Sequence, residues 1–153
     1  MTKKLLLDAA ILLALAVLGV IGYKLAPLLN PKTDIVLPLS NCDLAKQACV
    51  TTLPDGGLLE FSIEPRPIPS LKPLKLQASI QGSEARKIEV DFAGTDMKMG
   101  HNRPVLQGSN GQFAGQANLP VCVTGKMEWD VTVLVETGNA LIAAPFRFAT
   151  HSE

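Results

Sequence analysis

An all-β domain carried behind one N-terminal transmembrane helix is the architecture this sequence predicts, and three observations carry it. The first 30 residues hold an apolar run long enough to span a bilayer. Beyond Asp34 the hydrophobic period falls from helical spacing to two. Turn signals then recur at short intervals, with no helical periodicity between them.

The helix comes first. Lys3 and Lys4 precede LLLDAAILLALAVLGVIGY, a run from Leu5 to Tyr23 interrupted only by Asp8. At about 1.5 Å per residue this run matches a hydrocarbon core of roughly 30 Å. Asp8 stands one turn from the N-terminal end, within reach of the headgroups, and Tyr23 and Lys24 suit the opposite interface. A cleaved signal peptide is the alternative. It would need a shorter apolar region and a small-x-small site, whereas GVIGYKLAPLLN offers only Gly19 and Gly22 before apolar residues resume. The expected organisation is a short cytoplasmic tail at 1–4, a transmembrane anchor with its juxtamembrane segment at 5–29, and an exported domain at 30–153. With the two lysines inside, that domain lies outside the cytoplasm, in the periplasm or beyond a plasma membrane crossed once.

Strands follow. Leu59, Phe61 and Ile63 alternate with Glu60, Ser62 and Glu64, and Leu74, Leu76, Ala78 and Ile80 with Lys75, Gln77 and Ser79. Ile88, Val90 and Phe92 repeat the pattern, as do Met127, Trp129, Val131, Val133 and Val135, and then Phe146 and Phe148 around Arg147. Such alternation marks strands with one buried and one wet face. Pro54-Asp55-Gly56-Gly57, Gln81-Gly82-Ser83, Ser109-Asn110-Gly111 and Thr137-Gly138-Asn139 punctuate them. Seven or eight short antiparallel strands packed as an immunoglobulin-like β-sandwich account for this pattern, with Trp129, the only tryptophan, between the sheets. The segment PRPIPSLKP, residues 65–73, is too rich in proline for a central strand and is expected to run extended as a crossover between the sheets.

Charge excludes one class of partner. Lysine plus arginine and aspartate plus glutamate each number 14, and the anchor segment takes three of the bases and one of the acids. The remainder carries 11 bases and 13 acids, too nearly neutral to trap nucleic acid.

Cys42, Cys49 and Cys122 are an odd number for an oxidising compartment, so at least one lacks a partner in the chain. CDLAKQAC brings Cys42 and Cys49 close enough for a small disulfide loop, the favoured pairing; a bridge from either to Cys122 is the alternative.

The stretch DMKMGHNRP, Asp96 to Pro104, is the candidate site. Asn110-Gly111 is a strong hairpin signal. With those two as the turn, Ser109 faces Gln112 and paired positions sum to 221, which sets Met99 opposite Cys122 and puts Met97 and His101 on the same face. Pro104, Pro120, Gly108 and Gly115 are the places where this register would slip, and a slip of one residue turns Cys122 to the other face. Thioether and thiolate donors select Cu(I), and imidazole is compatible. The competing expectation is that the methionines fill gaps in the core and that Cys122 is a small buried hydrophobe.

IEVDFAGTDMKMGHNRPVLQGSNGQFAGQANLPVCVTGKMEWDVTVLV, Ile88 to Val135, resembles the FixH-like and YtkA-like group of membrane-anchored, exported immunoglobulin-fold domains. The shared pattern is a strand, M-x-M-G, a short strand, G-x-F/Y, and G-x-x-W before a last hydrophobic strand. Met97, Met99, Gly100 and Phe113 occupy its positions, and Trp129 follows Gly125 with one residue more between them than in G-x-x-W. The resemblance implies copper handling or assistance to the assembly of copper-containing oxidases, with an assembly or copper-transport protein as partner. The Cys42–Cys49 pair and the LPVC around Cys122 fall outside that pattern and set the chain apart within the group.

No enzyme is expected. Only His101 and His151 are available as imidazole bases, and G-x-S-x-G, a phosphate loop and a zinc signature are all missing. Cys42 and Cys49 do not form the C-x-x-C of a thiol oxidoreductase. Two readings remain: a copper-binding or copper-delivering module using Met97, Met99, His101 and Cys122, or a metal-free structural or interaction module displayed at the membrane surface.

Overall fold

A computed structural model describes residues 2–29, 33–69, 72–95, 102–119 and 126–151. The chain divides into two compact units, Met1–Lys32 and Thr33–Glu153.

The first unit is one helix, α1 (Thr2–Leu29). Its stretch Lys3–Lys24, 22 residues with a mean hydropathy of 2.6, is long and apolar enough to cross a membrane. Leucines on every side of it are exposed, Leu5, Leu12 and Leu18 among them. Such all-round apolarity suits lipid and not one side of a protein core.

The second unit is built from nine strands: β1 (Ile35–Val36), β2 (Cys49–Thr52), β3 (Leu58–Glu64), β4 (Pro73–Gln81), β5 (Lys87–Gly94), β6 (Val105–Ser109), β7 (Gln112–Asn118), β8 (Lys126–Glu136) and β9 (Leu141–His151). Hydrogen bonding orders them β1-β9-β8-β5-β6-β7-β4-β3-β2 in one mixed sheet, antiparallel except that β1 runs parallel to β9. Burial follows the alternation of the sequence. In β4 every second residue from Leu74 to Ile80 is buried, and in β3 the same holds from Leu59 to Ile63. Trp129 is 2% exposed.

The sheet is curled. β9 and β3 stand six strand steps apart, which would separate them by roughly 29 Å in a flat sheet. Yet the rings of Phe146 on β9 and Phe61 on β3 have centroids 6.0 Å apart. The β1-β9-β8-β5 half therefore folds over the β7-β4-β3-β2 half, and the inward faces of both make the core. The chain turns the corner twice by changing partners. Along β6, Val105 and Leu106 pair with β5, whereas Gln107 to Ser109 pair with β7. On the opposite side, residues 34–43 track β9 through Asp34 N–H to Leu141 O, Leu37 N–H to Ala143 O, Ser40 N–H to Pro145 O and a bridge from Asp43 to Arg147. The chain then passes to β2, which pairs with β3. The two end strands of the sheet are thus consecutive in sequence.

One expectation is corrected here. The proline-rich stretch after Glu64 does not cross between halves: it joins β3 to β4, which are neighbours in the ladder, and Ile68 is buried within it. Pro73 opens β4, a strand position where a missing N–H costs little.

Candidate functional site

Met97, Met99, His101 and Cys122 all lie outside the described residues. What is described is the framework at either end of their two segments, 96–101 and 120–125. Thr95, directly after β5, donates to Glu128 O of β8 from its N–H at 3.1 Å and from its hydroxyl at 3.3 Å. Asn102 accepts from Phe92 N–H at 3.1 Å, and its side-chain amide donates to Asn118 O of β7 at 2.9 Å. Lys126, where β8 begins, pairs with His151 at the end of β9. The flanks of both segments are therefore held to one another by hydrogen bonds at one end of the fold.

Among the described residues the hairpin register holds for three pairs. Ser109↔Gln112, Gly108↔Phe113 and Gln107↔Ala114 obey the sum of 221. Asn110 and Gly111 take φ of 54° and 76°, the left-handed pair of a type I′ turn. At Leu106 the ladder ends. Residues 102–106 pair with β5 instead, through Phe92 N–H to Asn102 O, Val90 N–H to Pro104 O, and Ile88↔Leu106. Pro104 has no N–H to continue a ladder. Gly115 leaves room for the Leu106 side chain, whose Cδ2 lies 2.6 Å from where a Cβ on that glycine would stand. The opposition of Met99 and Cys122 consequently has no continuous ladder beneath it.

Cys42 and Cys49 form a disulfide with Cα atoms 5.7 Å apart. Cys49 is fully buried at the start of β2, so the bridge pins the passage from β1 to β2 against the core. The third cysteine of the chain, Cys122, lies outside the described residues.

Three acidic residues on the outer face of β5 and β8, Glu89, Asp91 and Asp130, are taken up by cations. Arg147 Nε lies 2.7 Å from Asp130, Lys87 Nζ 2.6 Å from Glu89, and Arg103 3.5 Å from Asp91 and 3.9 Å from Glu89. Glu89 beside it raises the Lys87 ammonium above its ordinary pKa, first by hydrogen bonding and then by charge. Among the described residues no three of His, Cys, Asp and Glu converge on a point where a metal ion would sit.

A feature that alternation alone does not reveal is an open cavity of about 390 Å³ on the outer face of β3, β4, β7 and β6. Glu60, Ser62, Gln77, Ser79, Gln107 and Gln112 line it, with Ala114 at its floor. Its sequence signal is glutamine four residues apart on β4, at Gln77 and Gln81, and on β7, at Gln112 and Gln116, with Gln107 on β6. No protein-family model matches the chain, and no curated protein is similar to it.

Proposed function

We propose that this chain is a membrane-anchored, exported domain that binds or delivers Cu(I) and assists the assembly of a copper-containing oxidase. Met97, Met99 and His101 would supply thioether and imidazole donors from one segment, and Cys122 a thiolate from the other. The observation that carries this reading is the Cys42–Cys49 disulfide, which consumes the other two cysteines and leaves one soft donor on 120–125. The hydrogen bonds Thr95–Glu128 and Asn102–Asn118 support it by tying together the flanks of the two donor segments. The role is one of binding; no residue is assigned to catalysis.

The finer architecture belongs to the same proposal. We read the curled sheet as an immunoglobulin-like sandwich, supported by the Phe61–Phe146 contact between its halves and by the partner change along β6. We place α1 across the plasma membrane once, with the β domain in the periplasm, on the basis of its length, apolarity and preceding lysines.

The test uses the full chain in detergent, loaded with Cu(I) under ascorbate, which spares the disulfide, and then desalted. About one copper per chain with sulfur in its X-ray absorption shell is expected. Retention no greater than in the Met97→Leu/Met99→Leu variant would sink the metal reading and leave a metal-free interaction module.

A further inference from the structure

Five of the six glutamines in the chain share one surface. Gln77 and Gln81 point outward from β4, Gln112 and Gln116 from β7, and Gln107 from β6. The register sets them in rows. Ser62, Gln77, Ala114 and Gln107 run side by side across β3, β4, β7 and β6, and Glu60, Ser79, Gln112 and Ser109 form the next row. Gln112 Nε2 donates to Ser79 Oγ at 2.8 Å across that second row. Ala114 is the small residue between two longer amides, and this produces the cavity of about 390 Å³. Gln77 and Gln107 stand two strand spacings apart, roughly 10 Å, with Ala114 between them.

A solvated strand face kept only for solubility is ordinarily charged. The opposite half of this same domain obeys that rule, with Lys87, Glu89, Asp91, Arg103, Asp130 and Arg147 in ion pairs. The cavity lining departs from it, with Glu60 its one charged residue, while Glu64 and Lys75 flank it on the same face. Each amide offers two donors and one acceptor, and each serine hydroxyl offers both, so the surface can meet groups that donate and accept at once. Sugar hydroxyls are such groups. A protein partner fits less well, because interface centres use aromatic, methionine and arginine anchors, and the lining has none pointing outward. An anion fits worse, since Glu60 is the single charged residue of the lining.

We propose that this face binds a neutral glycan chain, laid across β3, β4, β7 and β6 over Ala114, independently of any metal. The amides of Gln77, Gln107 and Gln112 read its hydroxyls, and the absence of a stacking aromatic sets the affinity low, with Kd on the order of 1 mM.

The experiment labels the full chain with 15N-glutamine, embeds it in phospholipid nanodiscs, and titrates it with chitotetraose, cellotetraose and tetragalacturonate. Saturable shifts of the side-chain amides of Gln77, Gln107 and Gln112 are expected with a neutral tetrasaccharide. Gln47, exposed beside the disulfide, should stay still and serves as the internal control. Ala114→Leu fills the floor at an exposed position and should weaken binding at least about tenfold. Gln77→Ala, which removes no packing, should weaken it at least about threefold and guards against a folding defect in the first variant. No saturable shift with either neutral probe up to about 10 mM would overturn the proposal. So would equal movement of Gln47, undiminished binding by both variants, or tighter binding of tetragalacturonate.

Discussion

The indole N–H of Trp129 donates to Thr150 Oγ1 at 3.2 Å, and that hydroxyl reaches Met127 O at 3.5 Å. Thr150 is the one buried polar side chain among the described residues, 5% exposed, and it sits where the largest core side chain needs an acceptor. A buried indole without a partner forfeits its hydration for nothing, so the pairing explains the hydroxyl on the otherwise apolar inward face of β9. Thr150→Val preserves shape and removes that acceptor; it is expected to cost about 1–3 kcal/mol. Trp129→Ala should cost about 3–5 kcal/mol. Urea midpoints of the full chain measure both, and a Trp129→Ala loss below about 1 kcal/mol would mean the indole is not in the core.

Gly111 is the second place where one atom decides. Its φ is +76°, and a Cβ there would collide with Ile80 O, which belongs to the carbonyl of the adjoining strand β4. Gly111→Ala should therefore destabilise by more than about 2 kcal/mol, combining the left-handed penalty with the clash. Gly56→Ala is the control: it shares a positive φ of 87° but has open space around it, and should cost only the conformational part, about 1 kcal/mol. Equal losses in the two variants would refute the close approach of Gly111 to β4.

Local physics was legible in the sequence, and partner choice was not. Alternation at Leu74, Leu76, Ala78 and Ile80 states which face is buried, because side chains of a strand have period two whatever they pair with. Asn110-Gly111 states its own turn type and fixed three pairs of the 221 ladder. The exchange of partners at Leu106 is a property of two sheet halves meeting, and nothing within VLQGS announces it. β1 escapes for a related reason: two residues carry no period, and its pairing to β9 is set by the chain running along a finished edge. The proline-rich link misleads because composition tells what it cannot be, a central strand, and says nothing of which strands it joins. The Cys42–Cys49 bridge was readable from spacing; Met99 and Cys122 lie outside the described residues, and a meeting between them would rest on long-range pairing that spacing does not contain.

The disulfide closes a loop of eight residues counting both cysteines. Chain-entropy estimates for such a loop give about 2.5 kcal/mol. The double variant Cys42→Ala/Cys49→Ala should lose about that much, with the loosened end of β2 exchanging amide protons sooner than β3. Thiol titration of the denatured wild-type chain should count one reactive thiol, Cys122; a count of three would mean the bridge is not formed.

Asp55 ties the β2–β3 turn to the loop after β4. Its carboxylate accepts from the Ser83 hydroxyl and from Gly57 N–H, and these bonds, the hydroxyl first, hold it below its ordinary value of 3.8. A carboxyl whose folded pKa is depressed adds stability that is fully present above the unfolded value and is lost as pH falls through the folded one. The gap in stability between wild type and Ser83→Ala should thus be constant from about pH 5 to 7 and close below about pH 4. A gap that widened on acidification would reverse the assignment.

The methionines give the sharpest test of the copper reading. Leucine matches methionine closely in volume and hydrophobicity, so Met97→Leu/Met99→Leu should change folding by less than about 1.5 kcal/mol whichever role the pair has. The thioether is what leucine lacks, and sulfur is what favours Cu(I). Cu(I) affinity, measured by competition with a chromophoric chelator, should fall at least about tenfold, or about 1.4 kcal/mol. Imidazole is compatible with the ion without selecting it, so His101→Ala should cost less than the double leucine change. Cys122→Ser should act like the methionines if the thiolate completes the set, and like His101→Ala if two thioethers suffice. Methionines that only fill the core predict one Cu(I) affinity for all four proteins. That outcome would detach the copper role from 96–101 and leave the domain as an interaction module at the membrane surface.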